Sequence, residues 1–235
     1  MLTRLIIIAI TPTVALALGI YLTDRYDREP WHLLLRIFLM GALSVIPVML
    51  VQRALLSINV FSGLLSVAYT AFIVAGLTEE FFKRFVVIHG VYNHANFDEK
   101  LDGIVYSVFS ALGFATVENI IYVIFRYMGT YYVGIMRGLL SVPGHMLFGI
   151  TMGYYLSLSK YTKDLRLKNH YYKMSLIIPA ILHGLFNFIL MAQIPILMVI
   201  FIPYVIYLWV SNLKRLNQYT IASRDEHDSI GDLER

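Results

Sequence analysis

The chain has 235 residues, of which 58% are hydrophobic and only 14% charged, with a formal net charge of +4 and no cysteine. Soluble domains carry about 25% charged residues, so a water-soluble globule is excluded. The missing cysteine excludes disulfides, thiolate catalysis and cysteine metal ligation, and the scattered basic residues form no nucleic-acid-binding patch.

Several apolar runs reach the roughly 20 residues that cross a hydrocarbon core of about 30 Å. Backbone groups in lipid must pair internally, which leaves a helical bundle or a closed barrel, and continuous apolar runs select helices. The expected fold is an all-α polytopic membrane protein. About seven transmembrane helices, eight at most, would enclose a polar intramembrane cavity.

The first run, 4–22, has the look of a secretory signal, but further spans follow it, so it reads as a retained helix. The acidic stretch DRYDRE and Pro30 precede a second span at 31–52. The third is 62–88, the fourth 103–125 and the fifth 136–158. The short interruption Ala192-Gln193-Ile194-Pro195 separates 174–192 from 195–211. As one helix, residues 174–211 would measure about 57 Å, nearly twice the core thickness, so two spans are expected. Residues 1–213 then form the membrane domain, and 214–235 a polar, mobile cytoplasmic tail.

Seven spans also sort the charges. One side collects Arg25, Arg28, Lys83, Arg84, Lys100, Lys160, Lys163, Arg166, Lys168, Lys173 and the basic residues after Leu213. The other holds only Arg4, Arg53, Arg126 and Arg137. The bias of basic residues toward the cytoplasm places the N-terminus outside and the C-terminus inside.

Ionisable groups at membrane depth cost from about 2.5 to over 10 kcal/mol and mark functional sites. Here they are Glu79 and Glu80, with Lys83 and Arg84 following; Glu118 and Asn119; His145; and His183 with Asn187. At 1.5 Å per residue, Glu118 and His145 each lie about 12 Å from the arginine at the outer end of their spans, and His183 about 15 Å from Gln193. Glu79 joins that layer only if the third helix continues to His89. Lys83 and Arg84 would then line a wet cavity or snorkel, and both lie on the face of Glu80 at i+3 and i+4. Glu79 points about 100° away, free to face a reactant.

A carboxylate pair with neutral imidazoles in a low-dielectric cavity suits acid–base chemistry near neutral pH. The expected reaction is amide hydrolysis: a glutamate activates water, a histidine orients it or donates a proton, and Asn187 or Asn119 stabilises an oxyanion. Metal-free hydrolysis, with no cofactor, is the favoured form. Zinc held by Glu79, His145 and His183 is the alternative, although no HExxH spacing supports it. A proton-coupled transporter is the remaining rival, since buried Glu and His also form ion relays.

The blocks EEFFKR at 79–84, FATVEN at 114–119, GHMLFG at 144–149 and HGLFNF at 183–188 closely resemble the PrsW family of bacterial intramembrane proteases, within the wider group of CAAX prenyl endopeptidases and bacteriocin-processing proteins. The resemblance implies that Glu79 and Glu80 match the paired catalytic glutamates and Glu118 the second acidic motif. It implies that His145, His183 and Asn187 match the later polar positions. It further implies a glutamate-dependent, metal-independent protease of the bacterial plasma membrane, although a metalloprotease assignment is also attached to the family. The implied substrate is a membrane-anchored protein such as an anti-sigma factor, cut at site 1 to release an envelope-stress response. The oligomeric state is not implied.

Overall fold

The computed structural model describes residues 2–127 and 130–233. Among them, seven helices are long and apolar enough to cross a membrane, and there are no strands. They are α1 (Leu2–Thr23), α2 (Trp31–Ser57), α3 (Gly63–Gly90), α4 (Lys100–Arg126), α5 (Tyr131–Tyr161), α6 (Leu165–Ala192) and α7 (Pro195–Leu233). The protein is thus an all-α polytopic membrane protein, and each expected span corresponds to one of these helices, the third beginning one residue before α3.

The break before Pro195 is a tight turn. Gln193 takes a left-handed conformation (φ 52°) that stops α6, and the carbonyl of Ile194 accepts from Leu197 and Met198 to start α7. Residues 214–233, expected as a separate tail, instead continue α7 as helix; Glu234 and Arg235 lie outside the described residues. One face of this extension still packs. Tyr219 stacks on Tyr154 with ring centroids 5.2 Å apart, and Arg215 Nη1 donates to Thr151 Oγ1 at 3.0 Å.

The most enclosed helices are α4 and α5. They cross where Gly103 faces Gly153, so two backbones meet without intervening side chains. Gly41 and Gly113 bring α2 onto α4 in the same way, against Ser110 and Phe38. At Gly76, a Cβ would meet the Ala180 carbonyl oxygen at 2.7 Å and the Gly184 nitrogen at 2.9 Å, so only glycine lets α3 lie this close to α6. That contact sits one turn before Glu79 and Glu80 and opposite His183.

Three widened, π-helical stretches border the polar layer: Tyr69–Leu77, Ile121–Arg126 and Arg137–Ser141. They lie next to the Glu79, Glu118 and His145 positions, and such stretches re-aim the side chains beside them. Pro143 follows the third; lacking an N–H, it cannot complete the preceding ladder. In α2 the regular helix is interrupted at Ser44, three residues before Pro47, and Ser44 Oγ donates to the Gly41 carbonyl at 2.6 Å.

Candidate active site

Helix α3 runs to Gly90, past Lys83, and carries Glu79 and Glu80 into the layer of Glu118, His145 and His183. The two glutamates have different surroundings. Glu80 is fully buried; its Oε1 accepts from Lys83 Nζ at 2.7 Å and from His183 Nδ1 at 2.9 Å. Glu79 lines a cavity of about 590 Å³. Its Oε1 accepts from Gln52 Nε2 at 3.2 Å, and its Oε2 lies 3.4 Å from Lys83 Nζ and 3.9 Å from His183 Nε2.

Lys83 sits at the centre of the cluster. It is fully buried, neither lining the cavity nor snorkelling. Its ammonium has three partners for three protons: Glu79, Glu80 and His145 Nδ1, the last at 2.9 Å. It also lies 4.4 Å from the centroid of the Phe114 ring. Because a charged lysine only donates, His145 Nδ1 is an acceptor, and its ring proton sits on Nε2 facing Glu118 Oε2 at 2.9 Å. Glu118 also accepts from Arg137 Nη2 at 2.8 Å.

His183 is oriented from two sides. Nδ1–H donates to Glu80 Oε1, which leaves the Nε2 lone pair toward Glu79 and the cavity. Phe148 stacks on its ring at 4.9 Å, and the His145 ring stands perpendicular to it at 5.2 Å. Asn187, one turn further along α6, lines the cavity.

Two expected supporting residues stand elsewhere. Asn119 does not face the cavity: its Nδ2 donates to the Ala9 carbonyl at 2.8 Å and its Oδ1 accepts from Arg137 Nε at 3.0 Å, so it ties α1 and α5 to α4. Arg84 does not pair with Glu80. It donates to Ser175 Oγ at 2.7 Å and the Tyr172 carbonyl at 2.8 Å, and its guanidinium lies 4.1 Å from the Tyr172 ring centroid, fastening α3 to α6. Conversely, Gln52 and Arg137 belong to the polar cluster without having been singled out. Arg137 was legible only by elimination. The outer half offers Glu118 two nearby cations, and Arg126, eight residues along its own helix, is turned onto Tyr122 instead.

The metal alternative has a donor set. One ligand atom each from Glu79, His145 and His183 lies within 4.8 Å of the others, all three residues being buried. Two neutral imidazoles and a carboxylate are zinc-type ligands, and each histidine has a carboxylate, Glu118 or Glu80, behind its other nitrogen. The residues fit such an ion, provided Lys83 gives up its contact with His145 Nδ1.

A membrane-buried constellation of carboxylates and imidazoles beside a cavity is the equipment of an intramembrane peptidase. The sequence profile described as "PrsW family intramembrane metalloprotease" matches residues 29–210. The chain is 42% identical over 221 residues to a Clostridioides difficile (strain 630) protein named "Protease PrsW", covering 94% of this chain and 93% of that one. It is 38% identical over 206 residues to "Protease PrsW" of Bacillus subtilis (strain 168), covering 88% and 91%. No solved structure matches it. The chain belongs to the PrsW family of intramembrane proteases and is a peptidase, which sets the transporter alternative aside.

Proposed function

We propose that this peptidase is glutamate-dependent, with Glu79 as general base toward a water molecule held between its Oε2 and His183 Nε2. The supporting observation is the pairing of unlike glutamates: Glu80 spends its Oε1 on Lys83 and His183, while Glu79 faces the cavity. The water oxygen attacks the scissile carbonyl carbon as Glu79 takes its proton. The C–N bond of the tetrahedral intermediate then breaks, and the same proton passes to the leaving amine. Asn187 is positioned on the cavity wall to donate to the oxyanion. Glu118 and Arg137 hold His145, which with Glu80 fixes Lys83; these groups set the field around Glu79.

The cavity is lined by side chains drawn from 45–56, 70–79, 114–127, 137–148 and 183–191, the halves of five helices that lead to the connections after Ser57, Arg126 and Ala192. The basic residues concentrate at the opposite ends, so the mouth is extracytoplasmic, with the N-terminus outside and the C-terminus inside. The substrate is a single-pass protein cut near its outer membrane boundary. An anti-sigma factor, cut at site 1, fits that geometry.

The second reading is zinc dependence, favoured by the Glu79, His145 and His183 donor set. When bound there, the ion would activate water and polarise the carbonyl. Reconstitution with a single-pass substrate, comparing wild type with Glu79→Gln, Glu80→Gln and His183→Ala with and without EDTA, separates the two. Full cleavage under EDTA supports the glutamate reading. Loss with EDTA and rescue by zinc replaces it with the metal one.

A further inference from the structure

The cavity mouth carries a cation that the chemistry does not use. Arg126, at the end of α4, lines the cavity and is exposed there. Its Nη1 donates to Tyr122 Oη at 3.3 Å, and its guanidinium lies 5.1 Å from the Tyr122 ring centroid and 5.8 Å from that of Tyr127. The two aromatic rings hold the guanidinium without neutralising it. No carboxylate lies within ion-pair range of Arg126 among the described residues. Among the described residues the cavity walls hold two carboxylates, Glu79 and Glu118, and Glu118 is already matched by Arg137. Arg137 also lies against Tyr122, 3.9 Å from its ring centroid, so one tyrosine joins the inner and outer arginines.

We propose that Arg126 is a specificity-determining residue that receives an acidic side chain of the substrate on the mouth side of the scissile bond. This rests on the peptidase reading above and names the substrate class it acts on. The spacing is set by the helix. Arg126 is eight residues beyond Glu118, at most about 12 Å along the axis because the stretch from Ile121 is wound as π-helix. An extended peptide advances about 3.3 Å per residue, so the favoured acid lies about three to four residues from the cut bond. A guanidinium can meet a carboxylate through two parallel N–H donors, and the open mouth makes that pairing sensitive to salt.

The test uses single-pass reporters whose juxtamembrane segment is neutral except for one Asp, Asn or Lys, stepped through the two to seven residues on the mouth side of the cut. Cleavage is measured in bicelles of phosphatidylcholine alone and with phosphatidylglycerol. Wild type is expected to prefer Asp over Asn by about twofold to fivefold in kcat/KM, with the maximum near the third or fourth residue and a smaller ratio at high salt. The ratio, read within each enzyme, should collapse in Arg126→Gln and turn toward Lys in Arg126→Glu. A wild-type enzyme that cuts Asp, Asn and Lys reporters equally overturns the proposal, with no variant needed. So does an Arg126 effect that follows the lipid charge and ignores the reporter. Cleavage that survives Glu79→Gln would instead overturn the catalytic reading, whatever the charge preference.

Discussion

Arg137 gives the most quantitative test of the polar cluster, because two short bonds and one ring contact define what it does. Arg137→Met removes the donors to Glu118 Oε2 (2.8 Å) and Asn119 Oδ1 (3.0 Å) while keeping much of the apolar stem. Breaking a fully buried ion pair from one side costs about 3–5 kcal/mol. The two side chains here are 15% and 19% exposed, and His145 still donates to Glu118. The cost should therefore fall to about 2–3 kcal/mol, below the range for fully buried pairs. The assay is a double-mutant cycle with Glu118→Gln, read by reversible unfolding in mixed micelles. The expected coupling is about 1.5–2.5 kcal/mol, with the double variant more stable than the sum of the singles. Arg137→Lys, which keeps charge but not the forked geometry, should recover part of it. Coupling below about 0.5 kcal/mol would refute the idea that Arg137 and Glu118 act as one buried unit.

Other substitutions separate positioning from chemistry. In Gly76→Ala the new methyl would meet the Ala180 carbonyl oxygen and Gly184 nitrogen, backbone atoms that cannot swing aside, so α3 must move off α6. The Glu80–His183 contact should open, with cleavage falling by about tenfold or more while circular dichroism keeps its helical signal. Arg84→Met removes a fastening between α3 and α6 and no contact to the glutamates; it should lower stability by about 1–3 kcal/mol in the same unfolding assay and leave cleavage within about threefold. A cluster of carboxyls on the connections between α1 and α2 and between α3 and α4 supplies a pH test. Burial raises the pKa of Asp24 to about 6 with Asp27 adding to it, that of Glu99 to about 7, and that of Glu29 to about 8. Because the folded values lie above the ordinary ones of 3.8 and 4.5, the stabilising contribution is complete below about pH 4 and is lost progressively as pH rises from there through the folded values of about 6, 7 and 8. Unfolding midpoints should fall over that window in wild type and flatten in the Asp24→Asn, Glu29→Gln, Glu99→Gln variant.

The membrane spans and the shared depth of the site were readable because both depend on counting residues along a helix. Seven apolar runs give seven helices, and the continuation of α3 to Gly90 follows from Phe85, Val86, Val87 and Ile88 being too apolar to leave lipid. The unlike environments of Glu79 and Glu80 follow from their 100° separation on one helix. What could not be read depends on contacts between helices. The i+3 and i+4 rule put Lys83 and Arg84 on one face, yet the close α3–α6 approach at Gly76 leaves Arg84 beside Tyr172 and Ser175 and Lys83 among the carboxylates. Arg137 served as a marker of the membrane edge, and only the fold shows its side chain turned inward to Glu118. Asn119 resembled an oxyanion donor by type and depth, but its face of α4 meets Ala9 of α1. The polar composition after Leu213 hid a helical face that packs through Tyr219.

The role of Glu79 is tested most directly by the single-turnover cleavage rate of Glu79→Gln, a near-isosteric change that preserves shape and the acceptor for Gln52. The expected result is a loss of about 10²- to 10⁴-fold in the chemical step, with substrate binding and helical content retained. A Glu79→Gln enzyme that cuts at close to the wild-type rate would contradict a general base at this position.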